Sequence, residues 1–264
     1  MGAYSKYFKT NFLAESTYKA DFFFDIGSDI IFFLILFYLW RTIYLKTGVS
    51  DISSFSLSTT ITYYFITNLL FRFNPSESIY LNEEIWEGWF TNEMPRPYSL
   101  KFIYVVSAFA RMAVGLLVYI PFAAFLFIFA YDYMVFPSPI NFLYFIIAMS
   151  LSAILGICFY LFLHSLSFHF GDQDANLTLV SYLAAFLGGA LFPLRFLPAN
   201  LYTIVYHLPF KYLFDFPANI YLGKIATTEI IYSFIEIIAW IVLFYCFYHI
   251  SFQRGLKKYT AVGR

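Results

Sequence analysis

Six stretches of this chain, at residues 23–43, 54–72, 102–130, 139–163, 176–194 and 228–250, are mostly apolar. Each approaches or exceeds the roughly 20 residues that a helix needs to cross a bilayer. In hydrocarbon every backbone amide must be paired within its own segment or within a closed barrel, so runs of this length imply spanning helices. The second run is the weakest. Ser56, Ser58, Thr59, Thr60 and Thr62 occupy its first half, and the aromatic and aliphatic residues from Tyr63 to Phe73 rescue it. The third is long enough to span with tilt or to project beyond the bilayer. Composition closes off the alternatives, because 61 % of the residues are hydrophobic and only 12 % charged. A water-soluble fold cannot cover that much apolar surface, and a disordered chain needs the opposite balance. The expected class is an all-α, polytopic membrane protein with six transmembrane helices, in a single domain over residues 1–264.

A seventh candidate at 196–222 fails. Pro193, Pro198, Pro209 and Pro217 fall in or beside it, and His207, Lys211 and Asp215 interrupt it. Interior prolines remove helix hydrogen bonds and clash with the preceding turn. Two short helices forming a re-entrant hairpin are expected instead, on the extracytoplasmic side between spans five and six. With six spans and a cytoplasmic N-terminus, Lys6, Lys9, Lys19, Arg72, Arg96, Lys101, Arg254, Lys257, Lys258 and Arg264 lie inside. Arg41, Lys46, Arg195, Lys211 and Lys224 lie outside. That excess obeys the positive-inside rule and puts both termini in the cytoplasm. The formal net charge of zero gives no basic field for nucleic acid.

No cleavable signal is expected in residues 1–20, which lack a compact apolar core. Tyr4, Tyr7, Phe8 and Phe12 share one side at helical spacing, as in an amphipathic helix lying in the cytoplasmic interface. Cys158 and Cys246 sit in apolar runs without metal-like spacing and are expected as two buried thiols.

Residues 74–101 are the most polar stretch. Asn74 as cap, Pro75 at the first helical position and Glu77 three residues after the cap predict a helix over 75–87, with Gly88 as its stop. Leu81, Ile85 and Trp89 recur every four residues, while Glu77, Glu84 and Glu87 fall on another face. The apolar stripe needs either lipid headgroups or a protein groove to cover it. An acidic face beside anionic lipid is unfavourable, which favours the protein.

Asp25, Asp29, Arg111 and Glu236 fall at membrane depth, where ionisable groups face a partner or water. Asp25 and Asp29 suit a wet inner interface, and Arg111 can snorkel inward. Glu236 is open to three readings: an inter-subunit pair, a polar patch on a pathway, or a hydrogen bond to a neighbouring hydroxyl. Small residues four apart, Ser152/Gly156, Ala184/Gly188 and Ala185/Gly189, suggest close helix packing. No phosphate-binding G-x-x-x-x-G-K-[ST] motif, G-x-S-x-G or H-E-x-x-H occurs. His164 and His169 are too few for a di-iron site, with only His207 and His249 besides.

Three stretches then resemble one family. Glu84-Ile85-Trp86-Glu87-Gly88, followed by Met94-Pro95-Arg96-Pro97, is similar to the segment after span two in type-2 permeases of ATP-binding-cassette exporters. Gly188-Gly189, Phe192-Pro193-Leu194, Phe196-Leu197-Pro198, Leu208-Pro209-Phe210, Pro217 and Gly223-Lys224 are similar to its proline-rich outer hairpin. Arg254-Gly255-Leu256-Lys257-Lys258-Tyr259, with Ala261-Val262-Gly263, is similar to its basic exit after span six. The resemblance implies a subunit of the cell inner membrane that pairs with a second permease, identical or related, and with two cytosolic ATPase subunits. ATP and Mg would be held by those ATPases, with no cofactor or metal bound by this chain. Helix 75–87 would be the coupling helix, carrying Leu81, Glu84, Ile85, Trp86, Glu87, Gly88 and Trp89. Spans two and five would line the subunit interface, and hairpin 196–222 would be the outer gate. Gly188, Gly189, Pro193, Pro198 and Pro209 would serve that gate. Two other classes stay open: a membrane-embedded hydrolase or acyltransferase using His164 or His207, and a scaffold recruiting a cytosolic protein. The cargo is not legible, although the aromatic-rich interior suits lipophilic compounds.

Overall fold

A computed structural model describes residues 3–17, 19–75, 79–93 and 100–259. They form twelve α-helices and one two-stranded hairpin: α1 (Ala3–Thr17), α2 (Lys19–Thr47), β1 (Asp51–Ile52), β2 (Phe55–Ser56), α3 (Leu57–Arg72), α4 (Leu81–Trp86), α5 (Phe90–Glu93), α6 (Leu100–Phe129), α7 (Pro139–Ser165), α8 (Ser167–Phe170), α9 (Asp174–Leu187), α10 (Ala199–Tyr206), α11 (Asp215–Tyr221) and α12 (Thr227–Lys258). The chain is all-α in class. Four helical stretches are long and apolar enough to cross a membrane: Phe23–Thr47, Phe102–Phe129, Pro139–Phe170 and Thr227–Lys258.

The other two expected spans are shorter helices. α3 has 16 residues and α9 has 14, so they rise only about 24 and 21 Å against a hydrocarbon thickness of ~30 Å. The hydroxyl-rich start of the second run explains the first shortfall. Phe55 and Ser56 pair in the β-hairpin, and the Ser56 hydroxyl then caps α3 by accepting from the Thr59 amide at 3.3 Å. The fifth run breaks at Gly188-Gly189, and residues 188–193 are not helical. Ser138 and Pro139 open α7 by the same local logic, with the Ser138 hydroxyl accepting from the Asn141 amide at 3.3 Å.

α7 is the keel. It packs along α12 and against α11, and the larger buried cluster joins these to α3 through Tyr63, Leu155, Phe159, Tyr212, Phe214, Phe244 and Tyr248. A second cluster joins α2, α3 and α6 through Phe33, Phe37, Ile61, Tyr119, Phe122 and Leu126. The outward faces of the long helices carry large apolar side chains, among them Phe24, Ile31, Ile128, Tyr232 and Ile235. A surface of that kind suits lipid.

α1 lies along α6, where the Asn11 side-chain amide donates to the Ser107 hydroxyl at 2.7 Å, so the N-terminal helix has a protein neighbour. Cys158 is buried, but Cys246 lies on the exposed face of α12, correcting the expectation of two buried thiols. The small-residue pairs also pack differently from expected. Gly156 meets Pro75, Ser152 donates to the Leu213 carbonyl at 3.1 Å, and Gly188 and Gly189 lie beyond the end of their helix.

Candidate functional site

The first candidate surface lies where α4 and α5 meet the C-terminal end of α12. The helix expected over 75–87 is shorter: α4 spans only Leu81–Trp86. Asn74 does not cap it, since α4 starts after Tyr80; the Asn74 side-chain amide donates to the Tyr160 hydroxyl at 3.5 Å. Ser76, Glu77 and Met94-Pro95-Arg96-Pro97 lie outside the described residues. Gly88 supplies the stop as expected, in the left-handed conformation at φ +79° where a Cβ is unfavourable.

The apolar stripe of α4 divides. Ile79 and Leu81 are buried, and Ile85 packs on the main core. Trp86 and Trp89 stay 46 % and 62 % exposed. Asn82, itself buried, fastens α4 to α8 and the turn after it. Its amide donates to Asp172 Oδ1 at 3.2 Å, and its Oδ1 accepts from the Ser167 hydroxyl and from the Gln173 backbone at 3.1 Å. Its backbone N–H donates to His164 Nδ1 at 3.4 Å. Glu84 accepts from the Tyr104 hydroxyl, tying α4 to α6. Phe90 stacks edge-on with Phe168, Phe252 and Tyr259, at ring-centroid distances of 5.3, 6.1 and 5.4 Å. Gly255 permits this closure, since a Cβ there would sit 2.5 Å from Phe168. One compact platform therefore joins α4, α5, α6, α7, α8 and α12. Its outer face shows Trp86, Trp89, Phe170, Glu83 and Glu87. Burial, then the nearby Asp174 and Glu87 carboxylates, pushes the Glu83 carboxyl above its usual range. His169 is likewise structural, its Nε2 lying 3.2 Å from the Ser251 carbonyl.

Near the start of α2, the carboxylates expected to be wet have a partner. Arg72, at the end of α3, bonds Asp25 at 3.0 Å and Asp29 at 2.5 Å. Two carboxylates around one planar guanidinium make a bidentate clamp between α2 and α3.

The opposite end holds the expected gate residues. α9 stops at Leu187, and Gly189 takes φ +85°. The hydroxyl of Tyr63 reaches across from α3 to the Gly189 carbonyl at 2.6 Å and to Asp215 Oδ1 at 2.9 Å. Asp215 Oδ1 also accepts from the Leu194 amide at 3.1 Å, and the Asp215 amide donates to the Gly188 carbonyl at 2.9 Å. This buried carboxylate unites α3, the turn after α9 and α11. Prolines punctuate the chain from the end of α9 to α11: Pro193 precedes a 3-10 turn at Leu194–Phe196, Pro198 precedes α10, and Pro209 opens a 3-10 turn at Pro209–Tyr212. Glu236 on α12 accepts from the Tyr212 hydroxyl and lies 3.6 Å from Lys211 Nζ. The Lys211 ammonium is buried over the Tyr206 ring at 3.6 Å, while the Glu236 side chain is 60 % exposed. A charge that looks unaccountable in α12 is thus an anchor for the loop between α10 and α11.

Between these ends lies a cavity of about 290 Å³ walled by α2, α3, α6 and α9. Phe32, Phe33, Tyr64, Phe71, Phe122 and Tyr182 line it, with Asp29 and Asn68 as polar points. The buried Oδ1 of Asn68 accepts no hydrogen bond among the described residues. The expected gate residues do not line this cavity, and sequence reasoning misses it. Its sequence signals are Asp29, an ionisable group at membrane depth, and Asn68, an amide beside Thr67 in the mostly apolar second half of the second run.

No curated protein matches the chain. The family described as ABC-2 family transporter protein matches residues 30–263, from the first long helix to the basic end. With that match over nearly the whole length, added to a polytopic all-α bundle, the chain belongs to the ABC-2 family of transporter membrane proteins.

Proposed function

We propose that this chain is the membrane subunit of an exporter, forming half of a translocation pathway and driven by ATPase subunits that dock on the platform built around α4 and α5. Six crossings suit it best, with α3 and α9 as short spans flanked by protein and with both termini in the cytoplasm. α10 and α11 form the re-entrant hairpin on the far side, where they act as the outer gate. The cavity walled by α2, α3 and α9 opens where a second permease subunit, identical or related, would complete it. Its aromatic walls suit a lipophilic cargo.

The observation that carries this reading is the platform itself. Asn82 and Phe90 bind the short cytoplasmic helices to α7, α8 and α12, while Trp86 and Trp89 are left uncovered. A push on those tryptophans reaches three membrane helices through hydrogen bonds and ring contacts. Such an element can pass a bias from a nucleotide site on another chain to the spans. Replacing Trp86 and Trp89 with Ala should abolish co-purification of the ATPase while membrane insertion is retained. Undiminished ATPase recovery contradicts the docking role. ATP and Mg then act through the partner, and the chain works as a transport subunit of the inner membrane with no enzyme chemistry of its own.

A further inference from the structure

The turn between α2 and α3 is strained and held from the hairpin side. Ile52 pairs with Phe55, leaving Ser53 and Ser54 as a two-residue loop with φ of 49° and 69°. Both central residues at positive φ is type I′ geometry, which Asn-Gly adopts readily. Serine at both positions carries a steric penalty of about 1 kcal/mol or more each, so the surroundings must over-determine the shape.

Those surroundings are the two ends of the proline-rich segment. Lys224, just after α11, donates its ammonium to the Ser54 carbonyl at 2.5 Å, and the same ammonium lies 4.2 Å from the centre of the Phe55 ring. Arg195, just before α10, donates to the Ser54 hydroxyl at 3.4 Å. Beneath them the fully buried Phe55 meets Phe196 at 5.5 Å, and Phe196 meets Trp40 of α2 at 5.1 Å. The Tyr44 hydroxyl fixes the Phe55 carbonyl at 2.6 Å. Entry and exit of the hairpin therefore converge on one residue of the α2–α3 turn.

We infer that Ser54 is a clasp: Lys224 and Arg195 fasten both ends of the α10–α11 hairpin to the outer turn of α2 and α3, and the hairpin lifts only when that clasp is released. Two opposed forces meet there. The charge-assisted bond from Lys224 closes the clasp, and the strain at Ser53-Ser54 loads it toward opening. The role as a conformational device for transport rests on the reading of α10 and α11 as the outer gate, but the clasp itself is measurable without transport.

The test is amide hydrogen exchange on the full chain in lipid nanodiscs, read on peptides covering 199–221. Lys224→Gln removes the charge-assisted bond and should speed exchange there by about tenfold. Ser53→Asn keeps both the carbonyl and the hydroxyl of Ser54 as acceptors and eases the strain at the first loop position, so exchange should slow. Exchange in α1 and α6 serves as the internal reference and should not move. Unchanged exchange in 199–221 for Lys224→Gln, or shifts of the same sign for both variants, overturns the clasp. Opposite shifts that leave ATP-driven transport untouched uphold the clasp and refute the gate reading instead.

Discussion

Gly189→Ala meets both a crowded site and a left-handed backbone. A Cβ there would lie 2.7 Å from the Tyr63 hydroxyl, 2.9 Å from Asp215 Cβ and 3.1 Å from Leu194 Cγ. Three elements would have to give way together, and none offers a flexible tip, because Tyr63, Asp215 and Leu194 are all buried. The left-handed backbone adds a penalty of about 1–2 kcal/mol for any residue with a Cβ. Displacing Tyr63 weakens its bonds to Gly189 and Asp215, at about 1 kcal/mol each, and overpacking adds about 1–3 kcal/mol. The total loss should be roughly 4–7 kcal/mol, or a fall in Tm of roughly 10–20 °C for a chain of this size. Thermal unfolding of the purified protein in detergent measures it. Tyr63→Phe removes the nearest oxygen, so in a double-mutant cycle it should couple favourably with Gly189→Ala by about 1 kcal/mol. A Gly189→Ala protein that melts within a degree of the parent, or a cycle with no coupling, refutes the idea that this turn is closed over Tyr63 and Asp215.

Other perturbations reach the remaining elements. Asn82→Ala should leave Asp172, Ser167 and the Gln173 amide short of a partner, costing about 1–3 kcal/mol locally; limited proteolysis should then cut residues 79–93 faster while the spans stay protected. Arg72→Met strands the part-buried Asp29 carboxylate and the half-exposed Asp25 and should destabilise by about 1–3 kcal/mol, whereas adding Asp25→Asn and Asp29→Asn should restore much of the loss in thermal melts. Gly255→Ala should push Phe168 out of its ring cluster and lower ATPase-stimulated transport more than it lowers Tm. Lys211→Met, which leaves Glu236 without its cation, should raise protease access to the loop between α10 and α11, and Lys211→Arg should largely rescue it.

Much of the architecture is legible in the sequence because lipid imposes length. The expected runs 23–43, 102–130, 139–163 and 228–250 fall within or nearly coincide with α2, α6, α7 and α12, where twenty or more apolar residues leave little choice. α3 and α9 are harder to delimit. Their ends are set by a hairpin pairing at Phe55 and by a left-handed Gly189, both local backbone events inside apolar composition. The segment over 75–87 reads as too long because a capping pattern at Asn74-Pro75 looks complete, yet residues 79–80 are not helical and α4 starts only at Leu81. Its periodic stripe reads as a partner face, whereas Leu81 and Ile85 turn into the chain's own core. Periodicity marks a face that needs cover and does not say whose atoms supply it. Glu236 shows the same limit, since Lys211 and Tyr212 are identified as its neighbours only by the folded loop.

The central claim is that the platform carrying Trp86 and Trp89 faces the cytosol while the Ser54 turn faces out. Single cysteines at Trp89→Cys and at Ser50→Cys, with Cys158→Ala and Cys246→Ser as background, report it through a membrane-impermeant thiol reagent on intact cells. The cysteine at position 50 should react at once and the one at position 89 only after permeabilisation. A position 89 that reacts on intact cells puts the platform outside and contradicts both the docking surface and the exporter reading built on it.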